Sequence, residues 1–462
     1  MSRQDLLIVG AGPAGMVAAI VARRHGLSVT VIDDQPAPGG QIWRSVEQTA
    51  RRDAILGPTF TEGRPIAAQF RASGATYRAA TQLWQIERGY RAFVSHAGQA
   101  EVIEADTVIL ATGAQERPVP FPGWTLPGVL TVGAAQILLK NAGQVPAGPL
   151  RIAGSGPLPL LYAVQLLQAG GRIASYLDTT PPGRWRAALR HLPGALHTPA
   201  ALIKGLSWMA ALRRAGVPVV RGATGIEAIG RTRVEAVRYR TRGGTIVTAP
   251  ADTILVHEGV VPNIHLPLSL DCLMAWNEAQ DCFAPVLDEW GESSQAGLFI
   301  AGDGAGIAGA KAACLRGELA ALRVAVKAGR LATADAAAAA HRPRRQLDRE
   351  RAVRPLLDSL FRPRPEIFAP SDDTIICRCE EVTAGEVRAL CGMGMPGPNQ
   401  IKAATRTGMG PCQGRQCGYT LTRLLAAAQG RPPGEVGFLH VRPPLKPVTL
   451  GELALLDRPP PP

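Results

Sequence analysis

Four cysteines stand in two close pairs near the end of the chain, Cys377-Arg378-Cys379 and Cys412-Gln413-Gly414-Arg415-Gln416-Cys417. In an extended segment, residues i and i+2 point the same way, so Cys377 and Cys379 can chelate one site. Cys412 and Cys417 lie in a Gly-rich loop whose backbone N–H groups can reach sulfur. Four thiolates in two pairs suit either a [2Fe–2S] cluster or structural zinc. Zinc usually takes Cys-x2–4-Cys pairs, so the Cys-x-Cys spacing leans toward the cluster. Thr383 is placed to cap a helix over 384–391 between the pairs. Cys272, Cys282, Cys314 and Cys391 lack a partner at ligand spacing and read as core or surface thiols. No cysteine precedes Cys272, which excludes cysteine chemistry in the first half as well as a disulfide scaffold.

The second chemistry is phosphate binding. An apolar run over 5–9 fits a buried parallel strand. Gly10-Ala11-Gly12-Pro13-Ala14-Gly15 follows, then a helical stretch over 16–25 and a strand over 28–32 that ends at Asp33-Asp34. The glycines let the backbone approach a pyrophosphate, the helix N-terminus supplies N–H groups, and an acid 23 residues after Gly10 suits ribose hydroxyls. The pattern recurs 144 residues later as Arg151-Ile152-Ala153, Gly154 and Gly156, a helix over 160–169, a strand over 172–177 and Asp178. The recurrence is degraded: Pro159 takes the third glycine position, and Pro157 and Pro159 bring no N–H to the helix end. The second unit therefore reads either as an NAD(P) site or as a packing domain that keeps only the fold.

Two further turns belong to the first unit. Thr107–Leu110 is an apolar strand ending in Ala111-Thr112-Gly113, and Leu298–Ala301 is another, ending in Gly302-Asp303 before a helix over 308–328 that includes Ala310. Together with Gly39-Gly40-Gln41 and His257-Glu258-Gly259-Val260-Val261-Pro262-Asn263, these resemble the two-dinucleotide-binding flavoproteins of the glutathione and thioredoxin reductase fold. The resemblance implies an α/β architecture with two dinucleotide-binding domains, the second inserted in the first. The FAD domain would comprise 1–120 and 285–335, and the NAD(P)-binding-like domain 121–284. It also implies FAD held by Gly10, Gly12, Pro13, Ala14, Gly15, Gly40, Gln41, Ala111, Thr112, Gly113, Gly302 and Ala310. Asp33, beside Asp34, would bind the adenosine ribose, and Asp303 the ribityl chain. Disulfide reduction, which that fold often performs, is excluded by the missing early cysteines.

Composition narrows the rest. Of 462 residues, 46% are hydrophobic and 19% charged, which excludes wholesale disorder. The net charge of +13 includes an Arg/Pro-rich run over 336–370. Its interleaved acids and prolines, and its few aromatics, argue against nucleic acid and for a solvated linker or docking surface. Uncharged stretches at 118–139 and 152–171 are long enough for bilayer spans, but four prolines break the first and Gly154–Pro159 the second. The N-terminus shows no signal peptide. The expectation is a soluble, cytoplasmic protein without a transmembrane segment.

Residues 371–430 resemble the small, mainly helical [2Fe–2S] domain typified by bacterioferritin-associated ferredoxin. That makes Cys377, Cys379, Cys412 and Cys417 the implied iron ligands. The order of flavoprotein, Arg-rich linker and cluster domain resembles the α subunit of heteromeric FAD-dependent amino-acid and imino-acid dehydrogenases. That family includes opine oxidases, hydroxyproline and proline dehydrogenases and the hydrogen cyanide synthase B subunit. The long matches are Val31–Ile42 and Pro285–Gly291. The resemblance implies a flavoprotein β subunit that oxidises the C–N bond of an amino acid, imino acid or opine, and a small ferredoxin-like γ subunit. This chain would relay electrons, with any membrane association made through the electron acceptor. His257-Glu258 is the best acid–base candidate, and a hydrogen-bonded structural His with a capping Glu is the simpler reading. A stand-alone NAD(P)H-dependent FAD/[2Fe–2S] oxidoreductase is the rival function, and a cluster-based redox sensor a third. The Pro-rich tail over 431–462 should wrap a surface or a partner.

Overall fold

The computed structural model describes residues 3–48 and 52–456. The apolar strand Gln4–Val9 lies inside a parallel sheet, flanked by Val29–Ile32 and by the long strand Gln99–Leu110. Thr76–Arg78 extends one side. On the other, Leu298–Ile300 pairs with Val108–Leu110, closing the sheet with a strand that follows the whole inserted unit. The C-terminal ends of all these strands meet where Val9, Ile32, Leu110 and Ile300 are in register, the edge at which open α/β sheets bind ligands.

The helix after the glycine loop begins at Pro13 and runs to Arg24, three residues earlier than its apolar stretch indicated. Proline at the first helical position has a preset φ and no N–H to leave unbonded. This helix packs on Ala310–Lys327 through small residues: a Cβ on Gly317 would stand 2.2 Å from the Ala14 carbonyl oxygen.

The inserted unit carries its own parallel sheet, ordered Val219–Arg221, Ser175–Asp178, Leu150–Ser155, Thr253–Glu258 and Val129–Thr131. A three-stranded antiparallel sheet, Thr224–Ile229, Ala236–Arg240 and Ile246–Pro250, covers it. Ala114–Glu116 pairs with Val260–Pro262 where the chain leaves and re-enters the first unit.

The Arg/Pro-rich run is not a solvated linker. It forms the helices Thr333–Arg351 and Arg354–Leu360. Ala336 and Ala340 are buried, and Arg344 stacks on Trp290 at 4.3 Å. Its small residues recur at helical spacing and give the run an apolar stripe that its charge count conceals.

The C-terminal domain is a short hairpin, Ile375–Cys377 with Val382–Thr383, followed by the helices Ala384–Gly392, Pro398–Thr405 and Gly418–Gln429. Thr383 caps the first of these as its sequence indicates, in a capping box with Glu386. Ile376, Val387, Ile401, Leu421 and Leu425 are buried in the domain's core, each contributing about 1.5–3 kcal/mol. The tail turns back onto the first unit, where the Leu445 N–H donates to the Trp84 carbonyl at 2.7 Å. Its four terminal prolines lie outside the described residues. Among the described residues, no helix is long and apolar enough to cross a membrane.

Candidate flavin and cluster sites

A cavity of about 510 Å³ opens at the C-terminal edge of the first sheet. Gly10, Gly12, Pro13 and Ala14 line one side, with Asp33, Asp34, Gly40 and Gln41. Ala111, Thr112, Gly113, Gly302, Asp303 and Ala310 line the other. Of the residues assigned to FAD from the sequence, Gly15 alone is not at the wall. A Cβ there would stand 1.8 Å from the Gly10 carbonyl oxygen, so Gly15 serves the close contact of helix and strand.

Gly10 has φ of +104° and faces the Ala111 carbonyl, which a Cβ would meet at 2.5 Å. Gly40, at φ +60°, passes within 2.9 Å of the Gly12 Cα by the same measure. Side chains at these positions would break the two turns that shape the cavity. Asp33 accepts from the N–H groups of Ala11 and Gln35, at 2.5 and 2.7 Å, and so ties the second strand to the glycine loop. Burial nevertheless raises its pKa. Burial opposes the Asp34 carboxylate too, but Lys446, Gln35 and Arg44 together hold that pKa down. Asp303 accepts from Ala308 and Gly309 at 2.9 and 3.0 Å, shaping the turn before the last helix.

The cavity also has walls that local sequence patterns did not assign. His265 is buried at it; its Nε2 donates to the Gln413 carbonyl at 3.0 Å, and its Nδ1 has no protein partner. Burial pushes this imidazole down to about 3, so it is neutral. Arg415, Leu445 and Lys446 line the cavity from the C-terminal domain and tail. A buried polar atom without a partner and a cradle of glycine backbone fit a large polar cofactor, and FAD is the one this fold carries.

Lys140, on the helix Val132–Ala142 of the inserted unit, is buried and donates to the carbonyls of Gln41 and Ile42 and to Gln136 Oε1, at 2.8, 3.0 and 3.0 Å. Burial pushes it down to about 7. No motif marked it, since it projects from an ordinary amphipathic helix. It fixes the loop that carries Gly40 and Gln41.

The four cysteines lie within electrostatic reach of one another, though among the described residues no group of three His, Cys, Asp or Glu side chains is set to hold a single metal ion. Cys377 pairs with Cys417, and Cys379 with Cys412. The Cys417 thiol and the N–H groups of Gly408, Glu380 and Cys379 hold Cys377 down to about 6. The same contact with Cys377, with burial, pushes Cys417 up. A Cβ on Gly410 would lie 2.2 Å from the Cys379 Cβ, so this glycine admits the second thiol. Two pairs of sulfurs, ringed by backbone N–H groups, fit a cluster of two irons. The remaining cysteines stay apart: Cys272 and Cys282 are buried, and burial raises both thiols.

The second glycine unit is built differently. Gly154 passes under the His257 carbonyl, and Asp178 accepts from the Thr180 N–H at 3.0 Å. Where a nucleotide would cross the strand ends, the buried Glu258 carboxylate accepts from Thr179 Oγ1 at 2.8 Å and from Arg364 Nε at 2.9 Å. Ser155 lies 3.5 Å away. Arg364 comes from the Arg/Pro-rich run, which anchors Ile367 and Phe368 in the inserted unit's core. His257 Nδ1 meets Glu116 Oε1 at 2.7 Å, away from the flavin cavity. Both members of the His257-Glu258 pair are thus held in structural contacts.

Residues 4–337 match the family described as pyridine nucleotide-disulphide oxidoreductase, and residues 375–427 match the BFD-like [2Fe-2S] binding domain. The opine oxidase A subunit of Rhizobium meliloti (strain 1021) is 45% identical over 99% of this chain and all of its own length. The hydrogen cyanide synthase subunit HcnB of Pseudomonas aeruginosa is 33% identical, covering 96% of each chain. The crystal structure of L-proline dehydrogenase from P. horikoshii superposes with a TM-score of 0.72 at 20% identity, covering 98% of this chain and 79% of that one. The chain therefore belongs to the pyridine nucleotide-disulphide oxidoreductase family, as an FAD-dependent oxidoreductase that carries a C-terminal [2Fe–2S] domain and groups with the A subunits of opine oxidases.

Proposed function

We propose that this chain is the electron-transfer subunit of a heteromeric dehydrogenase that oxidises the C–N bond of an amino acid, imino acid or opine, with the substrate site on a partner. A flavoprotein β subunit would take a hydride, two electrons with one proton, from the amine carbon and release the N–H proton to water, leaving an imine. A small ferredoxin-like γ subunit would complete the assembly. FAD accepts an electron pair, whereas a [2Fe–2S] cluster passes electrons singly.

The observation that carries this reading is the shared wall of the two sites. Arg415 lines the flavin cavity and lies in the loop between Cys412 and Cys417. His265, also at the cavity wall, is hydrogen-bonded to that same loop. That shared wall supports electron passage between the two centres within one chain.

The closure of the second strand edge by Glu258 and Arg364 supports a packing role for the inserted unit over a stand-alone NAD(P)H oxidoreductase. Gly154, Gly156 and Asp178 then shape that unit without holding a nucleotide. The reading places the protein in a bacterial cytoplasm, with the membrane reached through the electron acceptor. The test is to identify the polypeptides that co-purify with the chain and assay the complex with proline, hydroxyproline, opines and glycine. Amine-dependent reduction of the cluster only with the partner present is expected. Rapid anaerobic bleaching of the isolated chain's flavin by NADH or NADPH would overturn it.

A further inference from the structure

The inserted unit bears one surface that the electron path does not use. From residue 179 to residue 226 the chain has no Asp or Glu but seven Arg or Lys. With 37 acids in 462 residues, a stretch of that length holds about four on average. It forms short helical turns, including Arg184–Ala188 and Leu192–Ala195, and then the helix Pro199–Arg214. The inward side uses Ala188 and Ala195, buried against Val353 and Leu356.

The outward side is apolar. Trp185 is 55% exposed, Leu196 59%, Ile203 63% and Leu206 62%. Seven of the seventeen exposed large apolar side chains of the described residues fall between 185 and 209. Single exposed apolar residues are ordinary, whereas such a concentration marks a binding surface. Arg186, which stacks on Trp185 at 5.5 Å, and Arg190, Lys204, Arg213 and Arg214 are exposed around it.

We infer that this face docks in the plane of an anionic lipid surface. Large apolar residues with a tryptophan, bordered by arginines and unbroken by acid, are what an interfacial helix presents to headgroups and acyl chains. Cations beside it are attracted to anionic headgroups. A second copy of the chain is a poor occupant, because it would bring the five exposed cations of this face against the same five. The inference goes beyond the function proposed above, in which the membrane is reached through the electron acceptor, and does not rest on it.

The experiment is flotation of the full chain, loaded with FAD and cluster, with vesicles. One set is phosphatidylethanolamine with phosphatidylglycerol, the other phosphatidylcholine alone. Binding to the anionic vesicles alone, weakened by salt, is expected. Arg213→Gln and Arg214→Gln should each weaken it about fivefold. The pair Ile203→Glu with Leu206→Glu should abolish it while flavin absorbance and cluster spectrum stay unchanged, which reports an intact fold. Three results would overturn the inference: no flotation with either vesicle, equal flotation of the double variant, or protection of residues 185–209 from hydrogen exchange by a partner subunit but not by vesicles. Amine oxidation by the complex in solution is a separate readout, so failure here leaves the electron-transfer reading standing.

Discussion

The Arg364 guanidinium and the Glu258 carboxylate are 2.9 Å apart, with side chains 8% and 3% exposed, although 106 residues separate them in sequence. Breaking such a pair strands one charge in a low-dielectric interior, which costs about 3–5 kcal/mol. Arg364→Met should therefore destabilise the chain by roughly that amount in denaturant unfolding. Substituting both residues, as Arg364→Met with Glu258→Met, should recover most of the loss.

Lys140 gives a pH dependence of defined sign. Its folded value of about 7 lies below its ordinary 10.5. Between those limits the unfolded chain holds the additional proton, so stability rises with pH across the window and, from this group, is flat below it. Lys140→Met should remove that slope in thermal melts from pH 7 to 10. Because it leaves the Gln41 and Ile42 carbonyls without their donor, it should also speed FAD release, read by flavin fluorescence.

Each of Cys377→Ser, Cys379→Ser, Cys412→Ser and Cys417→Ser should eliminate the [2Fe–2S] spectrum and lower bound iron and sulfide, with FAD retained. Cys391→Ser, whose thiol is outside the paired set, should keep both. Iron and acid-labile sulfide assays beside the visible spectrum distinguish these outcomes.

The tail should retain FAD. Lys446 contacts Asp34 at 2.5 Å, Leu445 bonds Trp84, and Arg415 donates to the Leu445 carbonyl at 3.0 Å. At about 1 kcal/mol per hydrogen bond, ending the chain before Pro443 should raise the FAD dissociation constant by at least tenfold. Ultrafiltration of the flavin provides the measurement.

Gly10→Ala should prevent FAD binding altogether, since the turn requires positive φ and the Ala111 carbonyl occupies the Cβ position. Gly98→Ala, also at positive φ but with open space around it, should cost only local strain and leave flavin content unchanged.

What the sequence determined by itself was local. Gly10 to Gly15 with Asp33, the Thr112-Gly113 turn, Gly302-Asp303 and the cysteine spacings each encode a backbone shape or ligand set within a few residues. Binding chemistry constrains such segments directly, so FAD, the cluster and the inserted α/β architecture were legible. The Arg/Pro-rich run reads as a linker because its charge count hides an apolar stripe, Ala336 and Ala340, that matters only once a helix has a neighbour. Only the tertiary structure joined His265 to Gln413, Arg415 to the flavin cavity and Arg364 to Glu258. Those contacts link segments roughly a hundred or more residues apart, and no local periodicity records them. They are set by how the domains bury their surfaces together.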